Sequence, residues 1–158
     1  MNKQAMEQTR EQRRTEVTRQ FNAALAELVD VDRHDMIRAR LLEMLARATG
    51  YSYALESEME PDNLHMQIKA VYAPSMFRQA AEKLVGFSLV GYRFVNDPAK
   101  VLQTPPTEVF RRLSDWRTEI SGAAALAIEK LLGIQQIVAI RLHTGEHYLG
   151  AVNFFATN

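Results

Sequence analysis

The sequence contains no cysteine among its 158 residues. Disulfide bonds, thiolate nucleophiles, cysteine-ligated zinc and thioether-linked cofactors are therefore excluded. The sequence has no apolar run approaching the roughly 20 residues that a transmembrane helix needs. It also lacks the N-terminal pattern of a secretory signal peptide. These absences predict a cytoplasmic domain with no membrane insertion.

An excess of either charge is missing as well, because 19 Lys and Arg residues balance 19 Asp and Glu residues. A protein that binds nucleic acid through a general positive field is not expected at this balance. The hydrophobic share of 47% is typical of a folded soluble chain that needs no metal or disulfide to complete its core. The length predicts one domain, with room for an appendage.

The segment 1–31 has no glycine or proline and is rich in Gln, Glu, Arg and Ala, which favours a long helix. Val17, Phe21, Ala24 and Leu28 follow one another at spacings of four, three and four residues. This spacing is typical of a coiled-coil seam. We expect the segment to act as a signalling and dimerisation helix that pairs two chains in a homodimer. The alternative is a helix that packs on its own domain.

The apolar periodicity changes several times between residues 32 and 158, as expected for one domain that mixes helices with strands. Helices are predicted over 32–50, 74–86 and 120–132, and strands over 51–59, 64–72, 134–142 and 148–156. Strands near both ends with helices between them favour an α+β fold. We expect an antiparallel sheet with helices on both faces, preceded by the long N-terminal helix.

The connection between the two predicted hairpins is long and runs from Phe87 to Glu119. We expect it to be irregular, apart from a short strand or ordered loop near its start and a short helix from Thr107 to Leu113. Long connections in a compact domain are usually functional. A ligand pocket is therefore predicted between this segment and the sheet.

Three stretches resemble the GAF domain family, a group of small sensory domains related to the PAS fold. AIEKLLGIQQIVAIRL (Ala127 to Leu142) and YLGAVNFF (Tyr148 to Phe155) are similar to the helix, strand, turn and glycine-containing strand at the end of the family's domain. KLVGFSLVGY (Lys83 to Tyr92) is similar to a segment of GAF domains in microbial sensor kinases. The resemblance covers 32–158.

The resemblance implies a fragment of a two-component or related signalling protein, with an output module such as a histidine kinase beyond residue 158. Where many members have proline before leucine in the penultimate strand, this chain has Arg141 before Leu142. Bilin-attaching and sulfoxide-reductase members use cysteine, so covalent bilin attachment and that enzyme class are excluded. The Asn-Lys-Phe-Asp-Glu set of cyclic-nucleotide-binding members is not found.

Aromatic residues in or beside the long connection are the favoured pocket residues, although most aromatic side chains in any domain belong to the core. Asn153 is included because it is polar in an otherwise apolar strand. The candidate ligand-binding residues are Tyr53, Tyr92, Phe94, Trp116, Arg141 and Asn153.

Arg141 interrupts the nearly continuous apolar strand 134–142, which we expect to be central and covered on both faces. A buried guanidinium group is costly unless it is paired. One alternative is a clamp for an anionic ligand, because the planar guanidinium suits carboxylate and phosphate groups. The other is a structural ion pair with an acid such as Glu129, Glu119 or Asp115.

Histidine and hydroxyl groups form no recognisable catalytic or metal-binding set. His143 and His147 flank one turn, but two imidazoles are half of what a zinc site takes. Haem ligation by His65, on the polar face of a predicted strand, is not expected. No G-x-S-x-G motif or phosphate loop is present. The sequence therefore predicts no catalytic residue and no metal ligand.

The function predicted from these observations is sensory: a small molecule binds between the sheet and the 87–119 segment, and the flanking helices relay the event. The alternative is a ligand-free dimerisation and relay module. A pocket smaller than roughly 300 Å³ would favour that alternative.

Overall fold

The computed structural model of the protein describes residues 3–28, 34–96, 103–117, 120–145 and 147–157. Its helices are α1 (Lys3–Leu28), α2 (His34–Thr49), α3 (Ser75–Val85), α4 (Leu113–Trp116) and α5 (Gly122–Leu132). Its strands are β1 (Tyr53–Met59), β2 (His65–Tyr72), β3 (Arg93–Val95), β4 (Thr107–Phe110), β5 (Ile134–Thr144) and β6 (His147–Thr157).

The strands of the described residues form one antiparallel sheet of six strands in the order β3-β2-β1-β6-β5-β4. The hairpin β1–β2 and the hairpin β5–β6 meet in the middle of the sheet, where β1 pairs with β6. The short strands β3 and β4 form the two edges. The predicted α+β fold with an antiparallel sheet is thereby confirmed.

The β1–β2 hairpin follows from alternation of residue types and from a turn that suits Asp and Asn. Asn63 adopts a positive φ of 56°, which asparagine tolerates better than most residues. The carboxylate of Asp62 accepts hydrogen bonds from the backbone amides of Leu64 and His65, at 2.9 and 3.0 Å. These bonds satisfy the amides of the turn and fix where β2 begins.

Helices pack on both faces of the sheet, as predicted, because successive residues of a strand point to opposite faces. One cluster joins the sheet to α4 and α5 and includes Leu55, Ile137, Phe155, Leu113, Ala125 and Ile128. The other joins the sheet to α2 and consists of Leu42, Ala46, Ala54, Ala70 and Phe154, with partly buried residues around them. Each fully buried large side chain contributes roughly 1.5–3 kcal/mol to stability.

The predicted short helix from Thr107 to Leu113 is wrong. Thr107–Phe110 is strand β4, which pairs with β5 from Thr107↔Ile140 to Phe110↔Ile137. Helix α4 begins only at Leu113, whose backbone amide donates to the carboxylate of Glu129 on α5. Pairing with an available sheet edge decides the conformation here, and sequence position alone does not reveal that edge.

The expectation that 134–142 is a central strand covered on both faces holds for only part of it. Ile137 and Ala139 are buried, at 0% and 5% exposure, but Ile140 and Leu142 are 37% and 40% exposed. The strand is second from the edge, between β4 and β6. Its distal half therefore extends past the helices that cover the rest of the sheet.

The first helix, α1, spans Lys3–Leu28 and contacts α2. Its side chains from Thr9 to Glu16 are exposed, and Val17 is half-buried. The side chains of the other predicted seam residues, Phe21, Ala24 and Leu28, lie outside the described residues. Among the described helices, none combines the length and apolar character needed to cross a bilayer.

Candidate functional site

A cavity of about 290 Å³ lies between one face of the sheet and the helices α3, α4 and α5. Small-molecule pockets usually measure about 300–1,000 Å³, so this volume is at the lower end of that range. Tyr53, Leu55 and Phe155 form its floor on the central strands β1 and β6, and Phe77 of α3 and Ile128 of α5 form its walls.

The Tyr53 side chain closes one side of the cavity between the sheet and α5. Its hydroxyl donates a hydrogen bond to the carbonyl oxygen of Leu132 at 3.2 Å, and its ring meets Phe77 edge-on. Burial raises the pKa of the Tyr53 phenol above its usual value of 10.0. The phenol therefore stays protonated at neutral pH and remains a donor.

The loop from Gly86 to Tyr92 covers the cavity next to α3. Helix α3 ends because Gly86 adopts a left-handed conformation (φ 82°), and its amide donates to the carbonyl oxygen of Glu82 at 2.8 Å. The Glu82 carboxylate then accepts from the amide of Leu89 at 2.9 Å. The rings of Phe87 and Tyr92 stack with their centroids 3.8 Å apart. These contacts tie the loop to the helix and place two aromatic rings beside the cavity.

Trp116 lines the cavity from the side of α4 and is fixed by the last strand. Its indole nitrogen donates to Oδ1 of Asn153 at 3.0 Å, and its ring packs perpendicular to Phe155 with centroids 5.4 Å apart. Asn153 is 1% exposed, and its Nδ2 has no hydrogen-bond partner among the described residues. Asn153 therefore positions the indole.

The described residues of the cavity lining are mostly apolar, and the charged ones among them are Arg78 and Arg117. Arg117 lies with its guanidinium carbon 3.8 Å from the ring centroid of Phe94 and 4.6 Å from that of Trp116. Arg78 of α3 also lines the cavity, and its Nε is buried with no hydrogen-bond partner among the described residues. No carboxylate belongs to the described residues of the lining. Within the described residues, the Nε of Arg78 is therefore a buried donor without an acceptor.

Four of the six candidate ligand-binding residues line this cavity: Tyr53, Tyr92, Phe94 and Trp116. Asn153 is not among the described lining residues but accepts a hydrogen bond from Trp116, which is, and Arg141 does not belong to the lining. The 87–119 segment supplies part of the cover, as expected, but α3 and α5 supply the rest.

The sequence reasoning missed Arg78 and Arg117 as cavity residues. The pattern offered one signal for Arg78, which directly follows Phe77 at the edge of the apolar face of α3. Arg117 carried no signal, because its place depends on Phe94, far away in the chain.

Arg141 forms a structural ion pair with Glu108 and not with Glu129 or Asp115; Glu119, the third acid expected from the sequence, lies outside the described residues. Its Nη2 lies 2.7 Å from the carboxylate of Glu108, and its Nη1 donates to the carbonyl oxygen of Pro105. Glu108 lies on the edge strand β4, beside Arg141 on β5. Because Glu108 was expected in a helix, sequence reasoning did not place the two residues on neighbouring strands.

Charged side chains also gather at the β1–β2 turn. Nδ1 of His65 lies 2.6 Å from the Asp62 carboxylate, and Arg93 binds the Glu60 carboxylate through two nitrogens. The backbone hydrogen bonds from Leu64 and His65, with His65 itself, lower the pKa of Asp62 to about 2. Glu60, Asp62 and His65 lie close enough to share a cation. Their carboxylates are already engaged with Arg93 and with the turn, so the arrangement is that of an ion-pair network.

No protein-family model matches the sequence, and no curated protein resembles it significantly. Several solved structures share the fold of this chain. The phycocyanobilin-bound GAF domain from a cyanobacterial phytochrome aligns with a TM-score of 0.58 and 10% identity, over 90% of this chain and 80% of that one. The NLH2 GAF domain of A. aeolicus, in an inactive state, aligns with a TM-score of 0.58 and 14% identity, over 92% and 82%.

The chromophore-binding domain of the bacteriophytochrome RpBphP3 from R. palustris aligns with a TM-score of 0.56 and 13% identity, over 90% of this chain. The chain spans 53% of the length of that domain. At such low identity the alignments establish the fold. The protein has the GAF fold, and the resemblance noted in its sequence is confirmed at that level.

Proposed function

We propose that the protein is a cytoplasmic sensory GAF domain that binds a small organic molecule in the cavity and relays its presence to an output module, such as a histidine kinase, in a longer signalling protein. The observation that carries this proposal is the cavity itself, which opens in the middle of the domain between sheet and helices. Support comes from the fold, because one structure that shares it is described as bound to phycocyanobilin.

The volume of this cavity favours a ligand smaller than a bilin. Covalent attachment through cysteine is excluded because the chain has none. An apolar cavity of about 150 Å³ holds one benzene molecule. The 290 Å³ found here thus suits one or two fused rings with a substituent, rather than four linked pyrrole rings.

The relay is supported by the position of the cavity relative to α2. Phe155 lines the cavity, whereas the side chain of the preceding Phe154 lies on the opposite face of the sheet. There it packs in the cluster with Leu42 and Ala46 of α2. A ligand that displaces the β6 backbone at Phe155 therefore also displaces a residue that touches α2. Since α1 contacts α2, the same displacement reaches the predicted dimer seam.

Binding rather than catalysis is proposed because the described lining residues include no histidine or carboxylate that could act as a general base. A ligand-free dimerisation and relay module is the second candidate. The observation that favours it is the cavity volume, which lies just below the 300 Å³ expected of a ligand pocket.

The test is a screen of the purified chain against a metabolite library by thermal shift, with native mass spectrometry of every hit. Ala124 of α5 lines the cavity, so Ala124→Leu fills part of it. Ala123 is its exposed neighbour outside the lining, which makes Ala123→Leu the matched control.

We expect at least one compound to raise the melting temperature of the parent chain and of Ala123→Leu but not that of Ala124→Leu. If no compound binds, or if the hits bind both variants equally, the cavity is not a ligand site and the relay module is the correct function.

A further inference from the structure

We infer that the cavity selects a planar aromatic carboxylate, with Arg78 as the residue that binds the carboxylate group. This inference rests on the proposed function and specifies the ligand class. Its basis is an aromatic lining that contains Arg78, with its buried and unpartnered Nε, and no acid among the described lining residues.

Arg78 supplies the polar contact that a ligand would complete. Its Nε is buried and makes no hydrogen bond within the described residues, although it belongs to a cavity-lining side chain. A buried donor without an acceptor destabilises the protein by the full cost of its desolvation. A carboxylate next to Nε removes that cost and forms a charge-assisted hydrogen bond, for which the planar guanidinium is well suited.

The second guanidinium, that of Arg117, is engaged by aromatic rings. It lies over Phe94 and beside Trp116 at centroid distances of 3.8 and 4.6 Å. Cation–π contact of this kind holds the side chain against the aromatic wall. The donor available to a ligand is therefore that of Arg78, and one guanidinium group suits a single negative charge better than the double charge of a phosphate monoester.

The apolar part of the ligand is defined by aromatic surfaces. Tyr53, Phe77 and Phe155 line the cavity together with the stacked pair Phe87 and Tyr92. Rings of a ligand pack favourably against such surfaces. At about 290 Å³, the space admits a fused bicyclic ring that carries one small acidic group.

Three naphthalene compounds test the inference by isothermal titration calorimetry on the full chain. They are 2-naphthoate, the neutral 2-naphthamide and the doubly charged 2-naphthyl phosphate. We expect 2-naphthoate to bind about tenfold more tightly than either of the others, since hydrogen bonds to charged groups have roughly that effect.

The matched variants are Arg78→Met and Lys83→Met. Both remove one positive charge from α3, but Lys83 is exposed and outside the cavity lining. We expect Arg78→Met to lose about tenfold in 2-naphthoate affinity with 2-naphthamide affinity unchanged, and Lys83→Met to behave like the parent chain.

Equal binding of naphthoate and naphthamide overturns the inference while leaving the cavity as a ligand site. Tighter binding of the phosphate overturns the carboxylate class, and equal losses in both variants overturn the role of Arg78. Failure of all three compounds to bind at millimolar concentration overturns the inference, whereas the proposed function is decided by the metabolite screen and the Ala124→Leu variant.

Discussion

Gly150 lies on β6, opposite Glu58 of β1 in the strand register. Its φ is 153°, and a Cβ atom at this position would lie 2.2 Å from the carbonyl oxygen of Ser57. The backbone of a central strand cannot give way by so much without loss of its pairing. Glycine at this position is therefore a requirement of close packing between two strands.

We expect Gly150→Ala to lower the free energy of unfolding by about 3 kcal/mol, because the new methyl group overpacks the strand contact. The measurement is urea denaturation followed by circular dichroism. Gly122 provides the control, because nothing lies within 4 Å of a Cβ built there and it begins α5. Gly122→Ala should leave stability unchanged or slightly higher. Equal stabilities of the two variants would contradict the close contact at Gly150.

Asp62 is expected to make stability depend on pH in the acid range. Its pKa is lowered from 3.8 to about 2 in the folded protein, chiefly by the amides of Leu64 and His65. A lowered pKa stabilises the fold above the unfolded-state value, and this stabilisation is lost as the pH falls from about 4 towards about 2. Asp62→Asn keeps an acceptor oxygen but removes the charge.

Thermal melts at pH 7, 4 and 2 should therefore show the parent chain more stable than Asp62→Asn at pH 7, with the difference closing near pH 2. Glu11→Gln, at an exposed position of α1, should show little difference at any of these pH values. A difference for Asp62→Asn that does not change with pH would refute the assigned cause.

Single residues differ in how far the sequence predicts them. The aromatic cavity residues Tyr92 and Trp116 could be proposed because they lie in a long connection, where pockets are common. That Arg141 needs a partner also follows from the sequence, since its strand is apolar. The identity of the partner, Glu108, could not be predicted, because it depends on a strand pairing that local periodicity does not reveal.

At the level of elements, the long strands and the short strands behave differently. The strands β1, β2, β5 and β6 have seven to eleven residues and lie where alternation or apolar runs predict them. The edge strands β3 and β4 have three and four residues, too few for periodicity to identify. Their conformation is imposed by the neighbouring strand, so the sequence predicted one as a loop or strand and the other as a helix.

Strand β4 is expected to depend on Arg141, which binds Glu108 within it and the carbonyl of Pro105 just before it. Arg141→Met should speed amide hydrogen exchange in residues 107–110 by about tenfold, since an edge strand has few other contacts. Peptide-level hydrogen–deuterium exchange measures this directly.

Arg93→Met is the matched control for β4, because Arg93 forms the corresponding ion pair with Glu60 at the other edge of the sheet. It should speed exchange near β3 and leave β4 unaffected. If β4 exchanges at the parent rate in Arg141→Met, the ion pair does not hold the strand.

At the scale of the whole molecule, the sheet separates two helical layers, one of which covers the cavity. The cavity lies on the side of α3, α4 and α5, and α2 covers the other side. The order of elements and the GAF resemblance predicted the fold. They did not predict that α3 and α5 supply part of the cavity lining. A cavity is the small difference between the space that the backbone leaves and the volume that the side chains fill, and sequence patterns do not define that difference.

The predicted homodimer is tested by removal of residues 1–31. We expect light scattering to give the mass of two chains for the full protein and of one chain for the truncated one, because the coiled-coil seam is lost. Phe21→Glu should have the same effect, whereas Thr15→Glu, at an exposed position of α1, should leave the dimer intact. The same number of chains per particle before and after truncation would place the dimer contact elsewhere or exclude a dimer.

The most direct test of the cavity as a ligand site uses Trp116, the one tryptophan of the chain, which lines the cavity. Its indole gives a single ¹H–¹⁵N cross-peak, and the indole nitrogen donates to Asn153. We expect this cross-peak to shift saturably with any compound that raises the melting temperature, with the dissociation constant found by calorimetry. A compound that stabilises the protein at saturation while the Trp116 cross-peak stays in place would contradict the account.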